Sequence, residues 1–227
     1  MSNEHDTHGR ITYGPTPGSV VDKTLEFVYE QLPIWRDKPH REKILSEEAL
    51  NSQLCKHLNA AARRENFAMA HFHHEERQGD RRRVDLSAQP FEEAFIEGRT
   101  YQDDQPFPVL EGKRLPADRK SREREYVTGD KQSGGIQRFK LGLHGPTFRR
   151  AAIIAYVQEA TCSLWLEANN GWIKELALVD NQAWTTSDQL NLVDANSELR
   201  SSRSSSNHSR VQSESNSIDL THLWIEM

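Results

Sequence analysis

The chain has 227 residues, of which 35% are hydrophobic and 28% are charged, and a formal net charge of −5. This length is enough for one well-packed core with additions, and the composition is typical of a soluble protein. No apolar run approaches the roughly 20 residues of a membrane-spanning helix, and the polar stretch 1–18 is neither a secretory signal nor a transit peptide, so we expect a flexible tail on a cytoplasmic protein.

The first half of the chain begins with two predicted helices. Apolar residues at 21, 25, 28 and 32 predict a helix from Val20 to Leu32, and Pro33 is expected to end it. Ser46 is a favourable N-cap for a second helix that runs to about Arg64. The apolar stripe of this second helix consists of Leu50, Leu54, Leu58 and Ala61.

Two acidic residues occupy the first turn of the second helix. At about 100° per residue, Glu47 lies in the middle of the apolar stripe and Glu48 lies on its flank. Stabilisation by the helix dipole is the ordinary explanation for acidic residues at this position. A carboxylate on an apolar face is also a candidate member of a functional site.

Three strands are predicted after these helices. They are Phe67 to His74, Arg83 to Ala88 and Phe107 to Leu115. A charged turn at 79–80 separates the first two, and 90–105 is predicted to be a polar connection with weak helical character.

The second half continues with a charged and then glycine-rich stretch, 118–145, in which a short helical piece carries Ile136, Phe139 and Leu143. The run Ala151 to Val157 is continuously apolar, as in a strand buried on both faces. Apolar positions from Cys162 to Leu176 predict an amphipathic helix. The serine-rich section 198–217 is either a disordered spacer or part of a hairpin with a last strand at 218–227.

The predicted order αβββαβα is typical of an α/β protein with a mixed central sheet flanked by helices. We expect a flexible tail at 1–18 and a main domain at 19–194. Residues 195–227 would add a serine-rich segment and a C-terminal strand that packs on the same domain.

Charged residues on two of the predicted strands form the candidate site. Strand alternation puts Val109, Glu111 and Lys113 on one face. A carboxylate and an ammonium in an apolar strand are costly to bury without a purpose. Asp85 lies in the preceding strand, and sequential strands often pair, so Asp85 and Glu111 are expected to meet. Adjacent carboxylates favour a divalent cation with oxygen ligands, such as Mg²⁺ or Mn²⁺.

These residues resemble the PD-(D/E)XK, or restriction-endonuclease-like, superfamily, over about 46–176 of the chain. The resemblance implies an αβββαβ core, Mg²⁺ or Mn²⁺ bound by Asp85, Glu111 and the carbonyl of Gly112, and Lys113 as the residue that assists the attacking water. It also implies a glutamate at the start of the first core helix, with Glu47 as the better-facing candidate and Glu48 as the alternative. Two departures are a valine in place of proline before Asp85 and a long spacing between Asp85 and Glu111, which implies an insertion.

A second match to the short motif, Asp118-Arg119-Lys120, lies in a charged segment without an apolar strand, so it is rejected as the site. The stretch 113–150 contains eleven Lys and Arg against four acidic residues, a local net charge of +7. It indicates either nucleic-acid contact or a solvated surface. The candidate nucleic-acid contacts are Arg83, Arg114, Gln137 and Arg138.

Other features favour ordinary structural roles. Cys55 and Cys162 lie in helical patterns and are expected to be buried thiols, because no CxxC motif or disulfide framework is present. His71 and His73 share a strand face but lack a third metal ligand at a telling spacing. His208 and Arg210 sit two apart on a possible strand, where a functional role stays open.

The sequence thus predicts a metal-dependent nuclease, with DNA as substrate and with restriction, anti-phage defence or repair as its setting. Partner proteins or self-association could supply recognition. One alternative is a non-catalytic module of the same fold that binds nucleic acid or acts as a scaffold. A histidine-based metal-binding protein is a third class, and it would require His71 and His73 to converge with another ligand.

Overall fold

The computed structural model describes residues 19–78, 82–179, 183–210 and 215–227. Within these ranges the chain forms four α-helices, a seven-stranded sheet and a two-stranded sheet. The predicted tail at 1–18 and the turn at 79–80 lie outside the described residues. None of the helices in the described part of the chain is long and apolar enough to cross a membrane.

The four helices lie where they were predicted, except that the first helix extends beyond its predicted C-terminal end. They are α1 (Ser19–Arg36), α2 (Glu47–Arg64), α3 (Gly135–Lys140) and α4 (Cys162–Ala177). The prediction that Pro33 ends the first helix is wrong, because α1 includes Pro33 and continues for three more residues. Tertiary contacts hold this last turn, since Trp35 is buried and Arg36 donates hydrogen bonds to the carbonyl oxygens of Leu199 at 2.7 Å and Glu226 at 3.1 Å.

The main sheet has seven strands, β1 (His71–Gln78), β2 (Arg82–Gln89), β5 (Val109–Leu115), β6 (Arg150–Val157), β7 (Asn191–Asn196), β8 (Ser201–Ser209) and β9 (Ser217–Glu226). Their order in the sheet is β1-β2-β5-β6-β9-β8-β7. The pairs along β1-β2-β5 are antiparallel, those along β5-β6-β9 are parallel, and those along β9-β8-β7 are antiparallel.

The centre of the sheet is the most buried part of the fold. Strand β6 lies between β5 and β9, and its residues 151–157 are buried, which confirms the prediction of a strand covered on both faces. The C-terminal strand β9 is therefore an interior strand. The hairpin alternative for the serine-rich section is confirmed, since β8 pairs with β9 and Ser202, Ser204 and Ser206 are buried.

The connection 90–105 differs from its prediction. It contains a hairpin of two short strands, β3 (Ala94–Ile96) and β4 (Arg99–Tyr101), where weak helical character was expected. Its turn places Glu97 at φ 50° and Gly98 at φ 83°. Positive φ at both central residues is the geometry of a two-residue hairpin turn, and glycine adopts it at no steric cost.

Helices α2 and α3 cover opposite faces of β5. The α-carbon of Gly112 faces Asn51 of α2, whereas the side chain of Lys113 lies near Gly135 at the start of α3. Consecutive residues of a strand point to opposite faces, so the two helices lie on either side of the sheet. The structure is thus a mixed α/β fold, and α2, β1, β2, β5, α3 and β6 follow one another in the order that was predicted.

Candidate active site

The candidate site is centred on strand β5, where two charged side chains are almost completely buried. Glu111 is 1% exposed and Lys113 is 5% exposed, between the buried residues Val109 and Leu115. Burying a charge in such a strand is unfavourable unless a partner compensates it. The partners of Glu111 and Lys113 therefore define the site.

Lys113 lies between two carboxylates. Its Nζ donates a hydrogen bond to Oε1 of Glu47 at 2.9 Å and lies 3.0 Å from Oε1 of Glu111. The other oxygen of Glu47, Oε2, accepts a hydrogen bond from the backbone N–H of Arg114 at 3.1 Å. Of the two candidate glutamates at the start of α2, the structure brings Glu47 to the site, and Glu48 is exposed.

Asp85 reaches β5 where the pairing between β2 and β5 ends. The two strands pair at Leu86 with Leu110 and at Ser87 with Val109. One residue further along, Oδ2 of Asp85 accepts a hydrogen bond from the backbone N–H of Gly112 at 2.8 Å. The carboxylate thus takes the place of a backbone acceptor and lies beside Glu111, as the expected meeting of the two strands required.

Helix α2 approaches β5 closely because of one glycine. A Cβ atom on Gly112 would lie 1.9 Å from Oδ1 of Asn51, which also accepts a hydrogen bond from the hydroxyl of Tyr156 at 2.7 Å. Asn51 is one turn after Glu47 on α2, so this close approach sets the height of Glu47 over the strand. Ser46 caps the helix through its Oγ, which accepts from the N–H of Ala49 at 3.3 Å.

Two further side chains contact Glu111 from α3 and the segment that follows it. The Arg138 guanidinium donates a hydrogen bond from Nη1 to Oε1 of Glu111 at 2.8 Å. Nδ1 of His144 lies 3.1 Å from Oε2 of Glu111, without the alignment of a hydrogen bond. Arg138 was predicted as a nucleic-acid contact, whereas His144 was not predicted, since a single histidine in a glycine-rich loop carries no spacing signal.

The pKa values of the two strand carboxylates, Asp85 and Glu111, are shifted in opposite directions. Although Asp85 keeps part of its surface accessible, desolvation and the neighbouring Glu111 raise its pKa to about 8. Burial alone would raise the pKa of Glu111, but Lys113, His144 and Arg138 lower it well below its usual range. Burial would lower the pKa of Lys113, and the carboxylates of Glu111, Glu47 and Asp85 raise it instead. Lys113 is therefore a permanent cation in this environment.

The other predicted nucleic-acid contacts have separate places. Arg83 is exposed and forms an ion pair with Glu75. Arg114 donates from Nη2 to Oε1 of Gln158 at 3.0 Å. Oε1 of Gln137 accepts the N–H groups of Gly129 and Gly134 at 3.2 and 3.3 Å, so it orders the start of α3. These three side chains are thus engaged outside the cluster around Glu111.

The rejected motif copy is a surface feature. Asp118 pairs with Arg122 at 2.9 Å, and the Arg119 side chain is 77% exposed.

The rings of His71 and His73 lie 4.8 Å apart. Among the residues that the structure describes, no three or more His, Cys, Asp or Glu side chains are grouped to hold a metal ion.

The resemblance to the PD-(D/E)XK superfamily implies a different set of metal ligands, with only two side chains. It consists of the carboxylates of Asp85 and Glu111 and the backbone carbonyl oxygen of Gly112. Two observations fit a cation there. Within the described part of the chain, Oε2 of Glu111 is a buried acceptor without an aligned hydrogen bond, although Nδ1 of His144 lies 3.1 Å away. The raised pKa of Asp85 marks a buried carboxylate that protein cations leave under-compensated. Oxygen donors of this kind suit Mg²⁺ or Mn²⁺.

Comparisons with protein-family models, with curated proteins and with solved structures found no match for this chain. The function is therefore inferred from the chemistry of these side chains.

Proposed function

We propose that this protein is a metal-dependent nuclease of the PD-(D/E)XK kind, which hydrolyses phosphodiester bonds in DNA. Restriction, anti-phage defence or repair would be its setting. The observation that carries the proposal is the position of Lys113, held between Glu111 and Glu47 on a buried strand whose next neighbour supplies Asp85. Four residues from two strands and one helix meet there, in the order and on the elements that such a site requires.

Asp85, Glu111 and the carbonyl of Gly112 would hold Mg²⁺ or Mn²⁺. A bound divalent cation supplies Lewis-acid chemistry at the phosphate and a water that is nucleophilic at neutral pH. Asp85 is well suited to this role, because its pKa of about 8 falls when a cation neutralises the charge of Glu111 beside it. The carboxyl group of Asp85 is thus available to bind the cation in its ionised form.

Lys113 acts as a fixed positive charge. Its raised pKa favours the ammonium form at neutral pH, and in this form Lys113 orients the attacking water and offsets the negative charge that develops on the phosphate. Glu47 fixes the ammonium from the helix side, and Arg138, with its side chain 31% exposed, is placed to bind a phosphate oxygen while it contacts Glu111.

A cleavage assay tests the proposal. Supercoiled plasmid and single-stranded DNA are incubated with the protein in Mg²⁺, Mn²⁺ or EDTA, and Lys113→Ala is compared with Lys120→Ala, the same change in the exposed motif copy. We expect wild type and Lys120→Ala to cleave with a metal but not with EDTA, and Lys113→Ala to lose activity by about 100-fold or more. Asp85→Asn is a second variant, because removing Lys113 from a buried ion pair can also destabilise the fold, whereas an amide keeps the size of Asp85 and its contact with the N–H of Gly112.

Identical behaviour of wild type and Lys113→Ala in every condition would contradict the nuclease. It would favour the non-catalytic module, in which the same fold binds nucleic acid or another protein without cleavage.

A further inference from the structure

The segment 141–149, which follows α3 and precedes β6, carries a side chain of the site. We call it the His144 segment. His144 is 4% exposed, and its ring packs edge-on against Phe139 with 5.8 Å between the ring centroids. The backbone N–H groups of Leu143 and His144 both donate to the carbonyl oxygen of Arg138, at 2.8 and 3.2 Å. The conformation of this segment therefore determines how both His144 and Arg138 meet Glu111.

Arg210, the first residue after strand β8, holds this segment from the C-terminal hairpin. Its guanidinium donates from Nε to the carbonyl oxygen of Phe139 at 2.8 Å and from Nη1 to that of Phe148 at 2.9 Å. Longer contacts join Nη1 to the carbonyl oxygen of Pro146 at 3.4 Å and Nη2 to that of His144 at 3.3 Å. One planar group thus fixes the end of α3, the middle of the segment and its exit towards β6.

The hydrogen bonds between the Arg210 guanidinium and these carbonyl groups are buried, so another side chain could replace them only with the same arrangement of donors. Arg210 is 6% exposed, and desolvation lowers its pKa to about 10, which still leaves it charged at neutral pH. Buried carbonyl groups require hydrogen-bond donors. The planar guanidinium presents several N–H donors in a fixed arrangement, which the single ammonium group of a lysine cannot reproduce.

A second link joins the same two parts of the fold. Lys140, the last residue of α3, donates from Nζ to Oδ1 of Asp188 at 2.7 Å, and the same oxygen lies 2.7 Å from Nδ1 of His208 on β8. All three residues are buried. The hairpin is therefore linked to the end of α3 through Asp188, and Arg210 reaches the segment beyond α3, including the carbonyl oxygen of His144.

We propose that Arg210 is a positioning residue for the candidate active site. By holding the carbonyl groups on both sides of His144, it keeps His144 and the C-terminal part of α3 in place, so that Arg138 and His144 stay against Glu111. The serine-rich hairpin then has a role in the site although it lies outside the αβββαβ core. The catalytic consequence of this proposal rests on the proposed nuclease function, whereas its structural part does not.

The test compares Arg210→Met with Arg203→Met in the full-length protein. Arg203 lies on β8, pairs with Glu26 and packs over the ring of Tyr29 at 5.3 Å. Its replacement is therefore the same chemical change at a residue that contacts α1 instead of the His144 segment. Hydrogen–deuterium exchange of 139–149 is measured by mass spectrometry, with β6 as internal reference. For a DNA substrate that wild type cleaves, kcat and KM are measured in parallel.

We expect Arg210→Met to accelerate exchange in 139–149 by about tenfold or more, with β6 unchanged. We expect kcat to fall by about tenfold or more and KM to rise by a smaller factor, because the loss concerns the arrangement of the partners of Glu111, of which Arg138 alone is proposed to bind phosphate. Arg203→Met should leave both readouts at the wild-type level, and Arg210→Lys should be intermediate, since it restores the charge without the fork.

Wild-type exchange in 139–149 of Arg210→Met, or faster exchange there with unchanged kcat, would overturn the proposal. If Arg210→Met does not fold, Arg210→Lys decides by the same two readouts. If wild type cleaves no DNA under any condition, the proposed function fails, and the exchange experiment alone still decides whether Arg210 holds the segment.

Discussion

The ammonium of Lys113 and the carboxylate of Glu47 form a hydrogen-bonded ion pair at 2.9 Å, across 66 residues of sequence. The second carboxylate oxygen of Glu47 accepts a hydrogen bond from the backbone N–H of Arg114, so the first turn of α2 is fixed to β5 at two points. The position of the ammonium in the candidate site is therefore set from the helix as well as from its own strand.

Glu47→Gln should lower the proposed nuclease activity by about 10- to 100-fold, because a neutral amide holds the ammonium of Lys113 less firmly and a small displacement of a catalytic group would be costly. The neighbouring exposed residue provides the control, since Glu48→Gln is the same change without a contact to Lys113. Plasmid cleavage rates with Mg²⁺ measure the difference. Equal rates for the two variants would show that Glu47 has no part in the site.

The pairing of Glu47 with Lys113 could be anticipated in part from sequence. Strand alternation placed Glu111 and Lys113 together, and the helical period selected Glu47 over Glu48. Asp85 followed from the tendency of sequential strands to pair. These residues were accessible to prediction because periodic elements carry them, and periodicity determines which side chains share a face.

Asp85→Asn should make the metal-free protein more stable. The pKa of Asp85 is raised to about 8, above its value in the unfolded chain, so at pH 7 its tendency to ionise favours unfolding. An amide removes this term while it still accepts the N–H of Gly112. The full linkage effect at pH 7 is about 4 kcal/mol, and because Asp85 is only half-buried, solvent screening should reduce the observed gain to about 1–2 kcal/mol. Thermal unfolding in EDTA measures it.

The same variant tests the metal site. MgCl2 or MnCl2 should raise the Tm of wild type, because a ligand that binds only the native state stabilises it. This increase should be absent in Asp85→Asn and retained in Asp118→Asn, a matched change in the exposed motif copy. An equal metal-induced increase in all three proteins would remove Asp85 from the proposed ligands.

Gly112→Ala should destabilise the protein by about 1–3 kcal/mol, the usual cost of overpacking. The new methyl group would lie 1.9 Å from Oδ1 of Asn51, and Asn51 is held by the hydroxyl of Tyr156. Denaturant unfolding measures the change. Gly171→Ala is the control, since open space surrounds that position in α4, and a helical alanine there should be neutral or stabilising.

The remaining features of the fold lacked a periodic signal. His144 meets Glu111 from an irregular segment, and Arg210 acts on that segment through its backbone carbonyl groups. Neither arrangement leaves a periodic pattern in the sequence. The helix α1 passes Pro33 because Trp35 and Arg36 are anchored by distant parts of the chain. By contrast, the β3–β4 hairpin had a local signal, Gly98 after Glu97, that the polar composition around it obscured.

Acidification should destabilise the protein through His57. This residue of α2 is 3% exposed and contacts Gln31, and burial, with smaller contributions from Lys38 and Arg64, lowers its pKa to about 4. In the unfolded chain a histidine titrates near pH 6.5, so below that pH the unfolded state binds a proton that the native state does not. The stability due to neutral His57 is thus complete above about pH 6.5 and is lost as the pH falls towards 4.

Between pH 6.5 and 5, His57 alone should reduce the free energy of unfolding by about 2 kcal/mol. His208 and His222 are also buried with lowered pKa values, so wild type should lose more than this. Denaturant unfolding at several pH values measures the slope. His57→Gln removes one titrating group and should flatten the slope by about one proton, whereas His40→Gln, at an exposed position, should leave it unchanged. Parallel pH profiles for His57→Gln and wild type would mean that His57 takes up its proton in the folded protein.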